Sequence, residues 1–377
     1  MTIPQLRFPD FETEWKEQAV GHFIEDFLEK SLVQNEHTVL TSSRTGLMRQ
    51  VDYYETSRIS ERNNIGYHII PPNYLTYRSR SDDRSFFFNE NLTGRVGIIS
   101  HYYPVFKIIG GENHFFKELF VRYRSYIGKF SVGTSQTVLS HKVLKKIKLP
   151  IPSQKEQKKI SEFLRVMDEK IGLLRAKHER LGFYKKGVMQ QLFTQKIRFK
   201  TDDGTDFPDW ENKKLGAVFE RVMRKNQKNI DNVLTISGQL GLISQLEYFN
   251  KSVSAKDVTG YYLLEKGEFA YNKSYSKGYP MGAIKRLNRY EEGVVSTLYI
   301  CFKALDEKTA PFYEHFFESG GLIRELQKIA QEGARNHGLL NLSVVEFFKD
   351  IEIPFPHPDE QQKMADFLSA LDDKIDA

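Results

Sequence analysis

Two stretches of this chain set cations, amides, hydroxyls and aromatic rings side by side. Arg78, Arg80 and Arg84 precede Phe86, Phe87 and Phe88, and Asn272-Lys273-Ser274-Tyr275-Ser276-Lys277 precedes Lys285 and Arg286. On loops, such mixtures suit phosphate clamping and the reading of base edges, although turn-rich surface segments have a similar composition. Signatures of catalysis are missing: there is no GxxxxGK[ST] phosphate loop, no GxGxxG after a strand and no HExxH. Pro71-Pro72-Asn73-Tyr74 holds the letters of an amino-methyltransferase motif in the wrong order and reads as a diproline turn. Pro9-Asp10 with Glu14-x-Lys16, and Pro208-Asp209 with Glu211-x-Lys213, carry nuclease letters at a spacing too short to converge from neighbouring strands. They read instead as lead-in turns, with Trp15 and Trp210 as core anchors. His178 reads as a partly exposed packing residue and Cys301, inside an apolar run, as a small buried hydrophobe. No metal-ligand set is expected.

These residues belong to a unit written twice. At an offset of 195, Trp15, Gly21 and Glu25 recur as Trp210, Gly216 and Glu220, and Ser42, Gly46, Leu47, Gln50, Tyr53 and Ser57 as Ser237, Gly241, Leu242, Gln245, Tyr248 and Ser252. At 194, Gly66, Tyr67 and Tyr77 become Gly260, Tyr261 and Tyr271; at 196, GIISHYYPVFK (97–107) matches GVVSTLYICFK (293–303). At 204, LPIPSQKEQKKISEFLRVMDEKI (149–171) matches IPFPHPDEQQKMADFLSALDDKI (353–375), with ten identities in the 22 positions from Pro150 to Ile171.

Each copy has two parts. The first, short aromatic and β-branched runs broken by glycine and turn residues, predicts a mixed, strand-rich globular domain. The second opens on Ser153-Gln154-Lys155-Glu156, whose serine hydroxyl and Glu carboxylate form a capping box, so a helix is predicted from there. Ile160, Leu164, Met167, Ile171, Leu174, His178 and Leu181 step by four and three, with Val188 and Leu192 in phase, as in a coiled-coil seam. A helix over about 154–194 would be a rod of roughly 60 Å. The second copy repeats the start, with Pro358 at a tolerated first-turn position, Asp359-Glu360 at the positive helix end and Met364, Leu368, Leu371 and Ile375 in phase. The counterpart of Gly172–Phe193 does not follow in this sequence, so the second helix is expected to be truncated. The expected architecture is α+β: two pseudo-symmetric globular domains, 1–150 and 201–354, separated by long coiled-coil helices at 151–200 and, incompletely, at 355–377.

Lys and Arg number 55 against 49 Asp and Glu, a formal charge of +6. Residues 153–200 hold thirteen of the cations and five acids, a net of +8, so the rest of the chain is slightly acidic. A basic helical face either tracks phosphates or stays solvated and meets protein. One cysteine excludes an internal disulfide framework and a multi-cysteine zinc site and suits a reducing compartment. MTIPQLRFPDFETEW has no signal-peptide pattern, and no run approaches the roughly 18 apolar residues of a spanning helix. A cytoplasmic protein is expected.

The two LPIPSQKEQKKISEFL and IPFPHPDEQQKMADFL segments, each following a globular domain and opening a long helix, resemble the specificity subunit of Type I restriction-modification systems. YKKGVMQQLF (184–193) closing the first helix, FAYNKSYSKGYPMGAIKRL (269–287), GTSQTVLS (133–140) and GARNHGLLNLS (333–343) are similar to segments of that family, and the likeness covers essentially the full chain. It implies a non-catalytic subunit whose two target recognition domains read a bipartite site in double-stranded DNA across a fixed gap, with the helix as ruler. It also implies partners: two methyltransferase subunits that bind S-adenosylmethionine and modify adenine, and restriction subunits that use ATP and Mg. No cofactor is expected in this chain itself. The DNA contacts expected are Arg44, Arg49, Arg78, Arg80, Ser135 and Gln136 in the first domain. Gln239, Lys273, Ser274, Lys277, Lys285, Arg335, Asn336 and His337 are expected in the second. Ile160, Leu164, Met167, Ile171, Leu174 and Leu181 would form the partner-docking face of the helix. Two other classes stay open: an enzyme with restriction or methylation chemistry in this chain, and a scaffold whose domains bind protein. So does a truncated specificity subunit that needs a complementing chain.

Overall fold

The structure, a computed structural model, describes residues 6–54, 63–250, 254, 257–274, 278–330 and 340–377. Its contacts divide the chain into two compact units, Met1–Leu173 and Leu174–Ala377.

In the first unit, strands β1 (Lys16–Ala19), β2 (Ile24–Phe27), β3 (Thr38–Ser42) and β4 (Leu47–Arg49) lead into one helical turn, α1 (Gln50–Tyr53). Strands β5 (His68–Ile70), β6 (Leu75–Tyr77), β7 (Arg80–Ser81), β8 (Phe88–Glu90), β9 (Gly97–Ile99) and β10 (Val105–Ile108) follow. Then come α2 (Asn113–Arg122), α3 (Arg124–Gly128), β11 (Thr137–Val138), α4 (His141–Lys146) and β12 (Lys148–Ile151). The strands form two four-stranded sheets, ordered β2-β10-β6-β8 and β4-β3-β9-β5, and two small pairs, β1-β12 and β11-β7. The runs are short because glycines and turn residues interrupt them, and alternation sends residues such as Leu75, Tyr77, Phe86, Phe88 and Phe106 into one core with Phe115, Phe116, Leu119 and Phe120 of α2.

The long helix α5 (Gln154–Phe193) falls where the periodicity predicts it, its first half belonging to the first unit and its second half to the second. The second unit continues with β13 (Glu211–Lys214), β14 (Phe219–Arg221), β15 (Leu234–Ser237), β16 (Gly241–Ser244), α6 (Gln245–Phe249), β17 (Tyr262–Glu265), β18 (Phe269–Asn272), β19 (Ala283–Arg286), β20 (Glu292–Val295) and β21 (Ile300–Ala304). Helices α7 (Ala310–Glu318), α8 (Ile323–Ile329) and α9 (Val344–Lys349), strand β22 (Glu352–Phe355) and α10 (Pro358–Asp376) complete it.

The repeat is a repeat of register as well as of letters. Lys16 faces Ile151 and Ala19 faces Lys148 in β1·β12; Glu211 faces Phe355 and Lys214 faces Glu352 in β13·β22. Cross-strand pairs follow: Lys107 binds Glu25 at 2.7 Å and Lys303 binds Glu220 at 3.0 Å. Gly21 and Gly216 each lie under a helix end, where a Cβ would sit 2.7 Å from the Lys145 carbonyl or 2.9 Å from that of Phe348, so only glycine allows the approach. Ser140 and Ser343 each cap the short helix beyond, accepting from Val143 and Glu346 N–H.

The start of α5 corrects the capping-box expectation in one respect. Ser153 Oγ does accept from Glu156 N–H, at 3.4 Å, but the Glu156 carboxylate does not return to the serine. It is 1% exposed and receives Arg7 Nε at 2.7 Å, Arg7 Nη2 at 2.8 Å and Trp15 Nε1 at 3.1 Å, while Arg7 also binds the Thr13 carbonyl. A bidentate guanidinium outcompetes one backbone N–H for a carboxylate removed from water. Glu360, 0% exposed at the head of α10, is held in the same way by Arg198 at 3.1 and 2.8 Å and by Trp210 at 3.0 Å, and Arg198 binds the Pro208 carbonyl at 2.7 Å. The next residues match too, Gln157 and Gln361 donating to the carbonyls of Pro152 and Pro356.

The expected coiled-coil seam is present only at its end. Val188, Met189 and Leu192 are buried with Met364, Ala365, Leu368 and Leu371 of α10, and Lys185 binds Asp372. From Arg165 to Arg180, by contrast, every residue of α5 is exposed, Met167, Ile171, Leu174 and His178 included, because no described helix covers them. His178 is therefore a solvent-facing residue and not a packing one. Cys301 is buried as expected, and burial pushes its thiol up to about 12.

Two outcomes follow for stability. Glu360→Ala would leave Arg198 and the Trp210 N–H without their acceptor, and a loss of roughly 3 kcal/mol is expected in the urea unfolding of the second unit, with hydrogen exchange in the first unit unchanged. His315 in α7 is held down to about 4, chiefly by burial and then by the Lys185 ammonium. The unfolded chain takes up this proton near pH 6.5 and the folded unit only near 4, so the contribution of neutral His315 is complete above pH 6.5 and fades as the pH falls to 4. Urea midpoints between pH 7 and 4.5 should show His315→Gln flattening the fall by about 2 to 3 kcal/mol.

Candidate nucleic-acid interface

In the first unit the polar residues gather on the loop Ser81–Ser85. Asp83 starts an Asx turn there: it accepts from Ser85 N–H at 3.0 Å and from Ser81 Oγ at 2.8 Å, and then from Arg44 at 2.6 Å. The Ser85 N–H, then the Ser81 hydroxyl, hold its carboxyl down at about 2. The β7·β11 pairing places Val138 opposite Arg80 and so brings Gln136 to it, Arg80 Nη1 donating to Gln136 Oε1 at 3.5 Å while Gln136 Nε2 reaches Asp82 at 3.4 Å. The Arg80 guanidinium lies 4.1 Å from the centre of the Tyr102 ring, which fixes its plane. Gly133 makes the approach of this loop possible, with a φ of +119° and a Cβ position only 2.4 Å from the Gln136 carbonyl.

Phe86 and Phe88 point into the core, so Phe87 between them turns out. It carries Arg124 at 4.2 Å and Arg44 at 5.4 Å from its ring centre, at a cleft of about 480 Å³ that Lys117 and Asn89 also line. Thus the structure joins Arg44, Arg80 and Gln136 through one loop. Arg78 and Ser135 are exposed nearby in sequence. Arg49 is exposed but paired with its own neighbour Asp52 at 2.6 Å. An exposed pair of this kind is weak and exchanges readily for a phosphate.

In the second unit Gln239 is exposed in the β15–β16 turn, and Lys273 and Ser274 are half-buried just beyond β18, where Ser274 N–H donates to Asn272 at 3.0 Å. Lys285 departs from its expected place at the surface. Its side chain is 11% exposed and its ammonium binds Glu318 and, at 3.1 Å, Tyr279 Oη. Burial works against its charge, but Glu318 outweighs burial and raises its pKa. Tyr279 in turn donates to the Gly238 carbonyl at 2.9 Å, so this trio ties the β15–β16 turn to α7. Lys277, Arg335, Asn336 and His337 lie outside the described residues.

Sequence reasoning passed over several residues. Tyr102 and Arg124 join the first-unit face through Arg80 and Phe87, 22 and 37 residues away, and Lys117 joins it at the cleft, none of which local composition registers. An exposed edge-to-face pair at matched places, Tyr53–Tyr54 and Tyr248–Phe249, each with centroids 4.7 Å apart, was partly signalled by the Tyr53/Tyr248 repeat.

Of the helix residues, Ile160 packs on the first core, Leu164 and Leu181 are half-buried, and Met167, Ile171 and Leu174 are 39, 42 and 54% exposed. Beside Ile160 and Leu164 the first unit has an apolar cleft of about 430 Å³, lined by Leu6, Phe8, Trp15, Phe115, Leu119 and Phe163 among others. In the second unit the matching surface, Trp210, Phe312 and Phe316, is covered by Phe193 of α5, whose ring centre lies 5.6 and 5.5 Å from those of Phe312 and Phe316.

Comparison with known proteins places these two units. The profile of the Type I restriction modification DNA specificity domain matches residues 32–182 and again 208–377. The chain is 27% identical over 319 residues to the Type I restriction enzyme MjaVIII specificity subunit of Methanocaldococcus jannaschii, spanning 76% of this chain and 70% of that one. It is 36% identical over 96 residues to the putative type I restriction enzyme MjaX specificity subunit of the same organism, 24% of this chain and 22% of that one. The crystal structure of the Type-I restriction-modification system S subunit from M. genitalium aligns with a TM-score of 0.57 at 14% identity, covering 100% of this chain and 93% of that one, a likeness of fold. Among the described residues no helix is long and apolar enough to cross a membrane.

Proposed function

The chain belongs to the family of Type I restriction-modification DNA specificity domains and carries that domain twice, and from this premise we propose how its two units divide the work. It is a specificity subunit, and each unit reads one half of a two-part DNA target. The observation that carries this reading is one frame with two faces: the strand pairs β1·β12 and β13·β22 share their register, whereas the loops at matched places differ, Arg80–Gln136–Tyr102 in one and Gln239 with Lys273 and Ser274 in the other. A stacked, amide-linked arginine is pre-set to meet a guanine edge with both its N–H groups. Arg44, Lys117 and Arg124 around Phe87 supply charge toward phosphates, which holds the duplex but does not read it. The paired aromatics Tyr53–Tyr54 and Tyr248–Phe249 recur at matched places with the same edge-to-face geometry, Phe249 standing in the place of Tyr54, and so address something common to both halves of the target.

Chemistry belongs, in this reading, to other subunits. Two methyltransferase subunits bring S-adenosylmethionine and take the target adenine out of the stack, and restriction subunits bring ATP and Mg. The exposed apolar stripe Met167, Ile171 and Leu174 on α5 is the docking face for the methyltransferases, since a row of apolar side chains left in water marks an interaction surface. The lone buried thiol accords with a cytoplasmic site of action. Coexpression with the cognate methyltransferase should give a complex of two methyltransferases per chain by mass measurement, and long-read sequencing should show adenine methylation at a two-part motif. Arg80→Ala should relax one or two base pairs of one half only, by roughly 5- to 150-fold in binding competition. Arg44→Ala should weaken all sequences alike and lower the salt slope by about 1.

A second reading concerns the apolar cleft of the first unit. A complementing chain would cover it with a helix of the same chemistry as residues 184–193, as α5 does in the second unit. A synthetic peptide of residues 181–200 is then expected to protect the amides around Trp15 and Phe115 from hydrogen exchange, and Phe163→Glu should abolish that protection.

A further inference from the structure

Helix α2 presents His114 and Glu118 one turn apart on the same face, and α5 sets Asp168 against them. One ligand atom from each lies within 4.8 Å of the other two. His114 is 6% exposed, and its Nε2 has no hydrogen-bond partner although it is buried. That nitrogen is 3.6 Å from Asp168 Oδ2, too long for a hydrogen bond. The separation suits a cation between them instead, because a tetrahedral zinc at its usual bond lengths sets an imidazole nitrogen and a carboxylate oxygen about 3.4 Å apart.

The second unit shows what this position requires. Trp15 packs edge-on to Phe115 as Trp210 does to Phe312, so Glu118 corresponds to His315, and the repeat of α5 and α10 makes Asp168 correspond to Asp372. There the Lys185 ammonium binds both oxygens of Asp372, with His315 Nδ1 3.9 Å away. The second unit thus places a positive charge at the carboxylate from its own chain. In the first unit Lys117 is instead turned to Glu118 at 3.2 Å, on the rim.

We propose that His114, Glu118 and Asp168 bind a divalent transition-metal cation of the zinc class. The imidazole nitrogen and two carboxylates are a borderline donor set that suits it, and the exposed side of Asp168 leaves water access for a fourth ligand. Glu118 exchanges Lys117 for the metal, and the cation joins α2 to the first half of α5, fixing the direction in which that helix leaves the first core.

The test uses the full chain, freed of metal with a chelator and titrated alone with Zn²⁺ by calorimetry, and with Co²⁺ followed by its visible ligand-field bands. Titrating it alone matters, since a docked helix carrying a lysine in the place of Lys185 would compete. The expected result is one tight equivalent per chain, with affinity lowered at least about 10-fold in His114→Gln and in Asp168→Asn and unchanged in His178→Gln. Absence of stoichiometric binding, or an equivalent indifferent to both substitutions, overturns the proposal. Asp168 is on the surface, so Asp168→Asn keeps the test valid even where His114→Gln impairs folding.

Discussion

A carboxylate buried in the first turn of each long helix sets the frame of this protein. Glu156 and Glu360 are removed from water, which costs several kcal/mol unless the charge is matched, and each is matched by a forked arginine and a tryptophan N–H. The arginine and tryptophan come from the segment that opens each globular body, so the chain must begin its body where the body ends. Strand pairs β1·β12 and β13·β22 are the direct outcome, and the glycine contacts under α4 and α9 seal it. Everything between those strands is an insertion with fixed ends.

That constraint explains how one architecture carries two faces. With both ends of the insertion clamped, loops such as Ser81–Ser85 and the β15–β16 turn change their side chains without disturbing the helix that follows. The two units show this at one register position, since Asn89, donating to Ser42 Oγ and the Ser43 carbonyl in one, stands against Lys285 bound to Glu318 and Tyr279 in the other. On the reading proposed above, in which the helices meet the partner subunits, this separation of frame from face lets the subunit read different sequences on one scaffold.

Much of the frame was legible in the sequence, because identities at offsets of 194 to 204 mark positions where both copies meet the same packing demand. The helix over 154–193, Trp15 and Trp210, and the Glu25–Lys107 and Glu220–Lys303 pairs all lie on those offsets. Arg7 and Arg198 do not, being 191 apart, and the role of Glu156 was hidden because its partner lies 149 residues away while a plausible cap lies three residues away. Lys285 turned inward for a similar reason, its acid standing 33 residues further on in α7. The heptad phase of α5 was legible, but an apolar stripe looks the same whether its cover is in the same chain or elsewhere, so the exposure of Met167 to Leu174 was not. Phe87 was legible beside its arginines, but Tyr102, Lys117 and Arg124 were missed because they reach that face only through folding.

The central claim is that the clamped frame is common and the inserted bodies read the DNA. It is tested most directly by replacing residues 20–147 with residues 215–351, between the paired strands, and mapping adenine methylation by long reads in cells that also carry the cognate methyltransferase. The expected result is a two-part motif whose halves are the same sequence, each read by a copy of the second body. Methylation at the parent motif, with the exchanged chain folded and assembled, would contradict it.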